Sequence, residues 1–391
     1  MQNTIYEYES ITDEKLKNHI INTIELHKYF TLDWKDLKAK QYCGILNFDN
    51  QDFYILPKIS NHNDQKDAEQ NLNIFIYMLM YAYDIKLSNE QIASCQNQEN
   101  HTILEVFVQM FALNILNELK KGLYKEYLTK QDNLPVLKGK YLINENLKYN
   151  FKKNKIYCEY DEFSSNNSLN QFFLYAVKYL QKFVNDKKLL KQCELIFDEV
   201  EYKQVDINRV ETISFNRLNV RFKTSFEIAL LLLRQSIPLF NKDKKSFAFL
   251  FDMNVLFEKF VEKLFLDIEP LTKIENKEIF NDLLLTPDIL INKKLVADIK
   301  YKRINSIKDI KAEDRHQIYI YKNNFETKYS FLIYPSNNYN DKQDIVLGKN
   351  KNKTKLEIKF INLNYYNDIS YEQYIFEQKK QLKLILRDIY E

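Results

Sequence analysis

Apolar residues along this chain gather into short runs and helical stripes, separated by polar stretches rich in Lys and Asn. The first clear pattern is residues 44–57 (GILNFDNQDFYILP), two apolar segments around Asp49, Asn50 and Gln51. It predicts a β-hairpin with those three residues at its tip. Residues 60–70 are polar and read as loop. Residues 72–82 (LNIFIYMLMYA) are apolar almost all round, which predicts a buried helix. Residues 103–119 space their apolar positions by three and four, a second helix. Further on, residues 138–143 and 155–160 predict two strands, and residues 170–184 and 218–233 predict helices.

The polar, charged stretch 241–245 marks the best junction. After it, residues 252–266 predict a helix with Asp252 as N-cap and Met253, Leu256, Phe257, Phe260, Val261 and Leu264 as its apolar face. Three strand-like segments follow at 283–285, 289–291 and 295–299. A helix around 315–321 and a strand at 329–334 come next. The expected fold is a multidomain α+β or α/β chain in three regions. Residues 1–133 are a strand and helix region, 134–245 a middle strand-helix region, and 246–391 a C-terminal α/β domain.

Composition narrows this only slightly. Four scattered cysteines, Cys43, Cys95, Cys158 and Cys193, form no CxxC pair, so neither a zinc ribbon nor a disulfide framework is expected. No apolar run approaches the ~20 residues of a membrane span, and the acidic N-terminus has no signal core. A soluble, cytoplasmic protein is expected. The abundant Tyr and Phe are not read as a stacking surface. Net charge is only +3, but Lys293, Lys294, Lys300, Lys302, Arg303, Lys308 and Lys311 are concentrated around Asp298 and Asp309. That stretch suits either phosphate contacts or a solvated face.

The chemistry concentrates in residues 286–302 (TPDILINKKLVADIKYK). If residues 292–294 are the turn, Ile291 pairs with Leu295 and the register sets Asp288 opposite Asp298. The strand period of two adds Lys300 to that face and sends Ala297 and Ile299 into the core. Two carboxylates and a lysine gathered on one face suit a Mg²⁺ ion, which takes one or two carboxylates and keeps waters. The expected reaction is phosphodiester hydrolysis with Asp288, Asp298 and Lys300 at its centre. An acid-x-Lys triplet alone carries little, since it recurs at Asp84, Asp186, Glu275, Asp309 and Glu357. The context is what narrows it: Pro287-Asp288 is the one Pro-Asp among six prolines, ten residues before Asp298. Glu258 and Glu262 share a helix face four residues apart. Glu258 is a further candidate acid, while Glu262 reads as part of a solvated face beside Lys259 and Lys263. Gln317 and Tyr321, also four apart, are candidates to contact DNA phosphate or support Lys300. His316 reads as a surface histidine.

These residues resemble the McrC subunit of McrBC-type, 5-methylcytosine-dependent restriction systems. Gly44-Ile45 with residues 55–59, residues 71–84, residues 137–140, and Cys158 to Glu162 with Asn170 match its earlier segments. Residues 252–261 are similar to the helix opening its nuclease domain, with Glu258 in the Phe-Glu position. Asp288, Asp298, Lys300, Tyr301 and Lys302 match the PD-(D/E)xK signature, and Gln317 and Tyr321 fit its downstream helix. Lys140 stands where Arg is more usual, and Ile299 where Thr or Ala is common; neither is a catalytic group. The resemblance implies a restriction-endonuclease-like domain at 246–391, with Asp288, Asp298 and Glu258 as metal ligands. It also implies two partner-binding regions before that domain, the second finger-like. The partners implied are DNA and an McrB-like AAA+ GTPase that binds GTP itself. The absence of a GxxxxGK[ST] motif in this chain agrees with that division. Tips near 49–51 and 152–155 are guesses for partner contact. Dimerisation of complexes on DNA is expected, because one Mg²⁺ centre cuts one strand at a time. The competing readings are a free-standing repair nuclease and a non-catalytic adaptor.

Overall fold

The computed structural model describes residues 3–33, 36–49, 51–59, 65–85, 102–152, 154–207, 210, 213–241, 244–274, 276–280, 283–304, 306–336, 345–347, 354–364 and 369–390. They form two compact units: Met1–Thr102 with Ile237–Glu391, and Ile103–Ser236. The chain starts the first unit, leaves to build the second, and returns.

The opening segment supplies β1 (Thr4–Tyr6), α1 (Glu14–Asn22), β2 (Phe30–Asp33), β3 (Asp36–Ala39), β4 (Tyr42–Phe48), β5 (Gln51–Leu56) and α2 (Gln65–Ala82). The expected hairpin is β4–β5, and Phe48 pairs with Gln51. Its tip is therefore Asp49 and Asn50, with Asp49 at φ +52°, a backbone state that Asp tolerates; Asn50 lies outside the described residues. The loop expected at 60–70 is helical from Gln65 onward. Ala68 and Leu72 are buried there while Glu69 is exposed, which makes this start of the helix amphipathic, and 60–64 lie outside the described residues.

The second unit contains α3 (Thr102–Leu119), β6 (Glu126–Leu134), β7 (Lys140–Tyr141), α4 (Ile143–Tyr149), β8 (Ile156–Ser164), α5 (Ser168–Leu180), α6 (Lys188–Ile196) and α7 (Lys223–Gln235). Its sheet runs β6-β8-β7. The strand expected at 138–143 is only two residues long before the chain turns into α4. Asn170 is buried, and its Nδ2 donates to Tyr124 O (2.8 Å) and Ser165 O (2.7 Å). Leu137, Leu147 and Phe151 of this unit are exposed.

On returning, the chain forms β9 (Ser236–Asn241), β10 (Lys244–Asp252), α8 (Met253–Ile268), β11 (Thr272–Ile274), β12 (Glu278–Phe280), β13 (Leu283–Leu285), β14 (Ile289–Ile291), β15 (Leu295–Ile299), α9 (Ala312–Asn324), β16 (Tyr329–Pro335), β17 (Ile345–Leu347), β18 (Thr354–Ile361) and α10 (Tyr371–Tyr390). β10 pairs antiparallel with β4, Leu250 opposite Gly44, in a five-stranded sheet β1-β5-β4-β10-β9. The expected division at 133/134 falls within β6, which pairs with β8. That at 245/246 falls within β10, whose partner β4 lies about 200 residues away, where no local pattern reveals it.

The second sheet of the first unit runs β11-β14-β15-β16-β18-β17. β15, β16 and β18 are parallel, and β14 returns antiparallel to β15. α9 makes the crossover from β15 to β16 and buries Ile318 and Tyr321 against Leu290, Val296 and Leu332. The expected face of α8 is buried, and Asp252 caps it by accepting from Asn254 N–H at 2.9 Å. Glu262 is also buried (8% exposed), not on a solvated face as expected, because α8 packs against α2 and α10 as well as against β15.

Candidate active site

The β14–β15 hairpin has the expected register. Ile291 lies opposite Leu295 and Ile289 opposite Ala297, with Lys293 at φ +54° in the turn. Continuing that register by one residue brings Asp288 to Asp298. Asp288 Oδ2 accepts from the N–H of Ile299, the residue after Asp298, at 2.6 Å. Asp298 is completely buried, and its Oδ2 lies 2.8 Å from Lys300 Nζ.

Burial raises the Asp288 carboxyl, and the neighbouring Asp298 charge raises it further, against the Ile299 hydrogen bond; it is pushed up to about 8. Glu258 on α8 adds to the same effect, which places its charge within reach of Asp288. Burial also raises Asp298, opposed by Lys300. For Lys300, burial works downward, but the charge and hydrogen bond of Asp298 outweigh it and the ammonium is raised. The site thus holds a carboxyl pair that favours keeping a proton and a lysine that favours its charge.

Gln317 and Tyr321 do come together. Gln317 Nε2 donates to Tyr321 Oη (2.8 Å), which donates to Thr286 O (2.9 Å). The pair braces the Thr286-Pro287 segment that leads into Asp288. Tyr321→Phe leaves Thr286 O and Gln317 Nε2 without that partner. It is expected to cost about 1–2 kcal/mol in thermal or denaturant unfolding. His316 is exposed, as expected.

Asp314 had no distinguishing signal in the sequence, where it reads as an ordinary first-turn acid. It is buried in α9, accepts from Lys302 Nζ at 2.9 Å, and its charge helps raise Asp298. Of the basic stretch, Lys300 and Lys302 are therefore paired, while Lys293, Lys294, Arg303, Lys308 and Lys311 are exposed.

The site fits a hard divalent cation. Asp298 Oδ1 is buried without a hydrogen-bond partner among the described residues, a costly state that a ligated ion relieves. The donors are carboxylate oxygens, which suit Mg²⁺. Among the described residues no group of three or more His, Cys, Asp or Glu is set to hold a metal. Mg²⁺ requires only one or two carboxylate ligands, and Glu258 stands close enough for its charge to act on Asp288.

A stability prediction follows from the Asp288 shift. Between about pH 4 and 8 the folded protein retains a proton that the unfolded chain has released, so stability falls as pH rises through that window. Asp288→Asn keeps the acceptor for Ile299 N–H and removes the penalty. It is expected to stabilise the metal-free protein by about 1–3 kcal/mol at pH 8.5 and by much less at pH 5. Mg²⁺ should raise the melting temperature of the wild type and not of this variant.

The family described as McrBC 5-methylcytosine restriction system component matches residues 37–335, well over half of the chain. The chain belongs to the McrBC family. The McrBC match takes in β4, the second unit, α8, the β14–β15 hairpin and α9. A chain of the refined half-complex from a tetradecameric assembly of Thermococcus gammatolerans McrB AAA+ hexamers with bound McrC has a TM-score of 0.60 at 21% identity. That alignment covers 98% of this chain and 99% of the other, and shows a shared fold. A chain of the Thermococcus gammatolerans McrBC complex aligns at 26% identity and TM-score 0.48, over 67% of this chain and 86% of the other. No curated protein matches. Among the described residues no helix is long and apolar enough to cross a membrane.

Proposed function

We propose that this McrBC component is the McrC-type subunit, a Mg²⁺-dependent endonuclease with a PD-(D/E)xK core that cuts DNA when engaged by an McrB-like AAA+ GTPase. The observation that carries the reading is the convergence of Asp288, Asp298 and Lys300 at the end of β15 in a chain of this family. Asp288 and Asp298 would hold Mg²⁺, with Glu258 acting on Asp288 through its charge. When bound, Mg²⁺ supplies an acidified water and a counter-charge for the phosphoryl oxygens. Lys300, held charged by Asp298, stands ready to stabilise negative charge developing on the phosphate. The Ile299 N–H fixes the Asp288 carboxylate, and Tyr321 holds the segment before it. The second unit, with its exposed Leu137, Leu147 and Phe151, is the region assigned to the partner, whose GTPase it would stimulate. GTP belongs to that partner.

The test is cleavage of methylated and unmethylated plasmid by the full chain with Mg²⁺, with and without the partner and GTP. Cutting that requires methylation, partner and GTP together supports the proposal. Cutting by the chain alone regardless of methylation would make it a free-standing nuclease. The single centre also predicts that strictly monomeric complexes nick, and that double-strand breaks appear only when two complexes meet on one DNA.

A further inference from the structure

A second site lies in the same unit, where the ends of β15 and β16 face the segments following β1 and β5. There a cavity of about 300 Å³ is lined by Glu7, Tyr8, Lys58, Tyr301, Lys302 and Arg303 among others. This is the lower end of the range for small-ligand sites, room for one compact group. Cavities beyond the carboxyl ends of parallel strands are where open α/β sheets bind ligands.

The floor is Glu7, only 4% exposed. Its Oε1 accepts from Tyr301 O–H (2.7 Å) and Lys58 N–H (2.9 Å), which fixes the carboxyl plane. Its Oε2 is buried and has no hydrogen-bond partner among the described residues. Such a group is costly unless something meets it. The proposed hydrolysis makes no use of it. Burial pushes Glu7 up to about 7, against the hydrogen bonds from Tyr301 and Lys58 and the charge of Arg303.

The lip is Tyr8, 59% exposed and at φ +63°, a conformation that a bulky side chain rarely adopts. Its backbone is held there by N–H donation to Ala39 O at 2.9 Å. A strained residue that presents an exposed ring beside a buried, half-used carboxyl makes a stacking surface next to a polar reader. Lys58, Lys302 and Arg303 add positive charge to the walls, and Lys302 also binds Asp314 beside the catalytic carboxylates.

We propose that this cavity receives a single DNA nucleobase turned out of its stack, with an exocyclic amine donating to Glu7 Oε2, Tyr8 against its face and Arg303 near its phosphate. Extruded bases are read in this way, by hydrogen bonds to one edge and stacking on an aromatic ring. A carboxylate accepting from the cytosine amine is one such pairing. The inference rests on the nuclease reading for its choice of DNA over a free nucleotide. It adds a positioning contact outside the catalytic centre, one that holds the strand while Asp288, Asp298 and Lys300 act.

The test uses the full chain and a duplex carrying one 5-iododeoxycytidine, bound in Ca²⁺ and irradiated, with crosslinks mapped by peptide mass. A crosslink at Tyr8 is expected. Tyr8→Gly relieves the positive-φ strain, so it should melt no lower than wild type while binding this duplex about 10-fold more weakly. Glu7→Gln keeps the Oε1 acceptor but places an amide N–H₂ where Oε2 stood, and should show a similar loss. If both variants bind as wild type and no crosslink reaches Tyr8, the pocket assignment is wrong, whether or not the wild type cuts plasmid. If the crosslink forms in a wild type that never cuts with partner and GTP, the nuclease reading fails and the pocket stands. Protection of Tyr8 by free deoxycytidine monophosphate with no duplex crosslink would assign the cavity to a free nucleotide and overturn the DNA source.

Discussion

Asp298→Ala is expected to lower the rate of methylated-plasmid cleavage by about 10³-fold or more in the complete system of partner, GTP and Mg²⁺. Asp298 is fully buried, is adjacent to Lys300, and has one oxygen without a hydrogen-bond partner. Its removal takes away the proposed metal ligand and the ion-pair partner of Lys300 at once. The fold should persist with a somewhat lower melting temperature, because Lys300, largely buried beside Asp298, loses its ion-pair partner. Lost cleavage with a cooperative melt and unchanged stimulation of the partner's GTPase is therefore the expected set of results. Lys300→Ala should approach the same loss of rate, but at some cost in stability, since it leaves the buried pair without its cation. Cleavage at the wild-type rate by either variant would remove these residues from the chemistry.

Gly44→Ala carries the largest expected effect on folding. Gly44 sits in β4 at φ +147° opposite Leu250, and an added Cβ would lie 2.0 Å from Phe249 O. Backbone on both sides must shift, because the obstacle is a carbonyl oxygen of the paired strand and not a flexible side chain. A cost of about 3 kcal/mol or more is expected, a fall of roughly 10 °C in melting temperature. Since β4 and β10 join the opening segment to the element that leads into α8, the Asp288–Asp298 cluster should lose its structure in the same transition. A variant that melts like wild type would show that this pairing is not what holds the first unit together.

The sequence made the local parts legible. The turn at 292–294, the alternation through Val296 and Asp298, and the Asp252 cap each depend on neighbours within a dozen residues, and each has the expected geometry. The register that carries Asp288 to Asp298 follows from those local facts. What could not be read depends on distance along the chain. The β4–β10 pairing merges regions that look separate, and Glu7 meets Tyr301 across 294 positions. Asp314 looked like any first-turn acid until β15 and α9 were packed together. Glu262 misled because flanking lysines on a helix suggest water, whereas α2 and α10 as well as the sheet strands pack against α8. Tyr321 is paired with Gln317 by their spacing alone, whereas its bond to Thr286 O depends on the path of residues 286–288. β6 escaped notice because its residues are partly exposed on both faces and lack a period of two.

The interrupted layout of the first unit has a further consequence during synthesis. β4 is complete at residue 48, but its antiparallel neighbour β10 begins only at residue 244. At about 5–20 residues per second a ribosome needs roughly 10–40 s to make the intervening stretch. Through that interval one side of β4 remains an open strand edge, while the second unit has already emerged and can fold. The nascent chain is therefore most exposed to wrong pairing in its first hundred residues, long after those residues have left the ribosome.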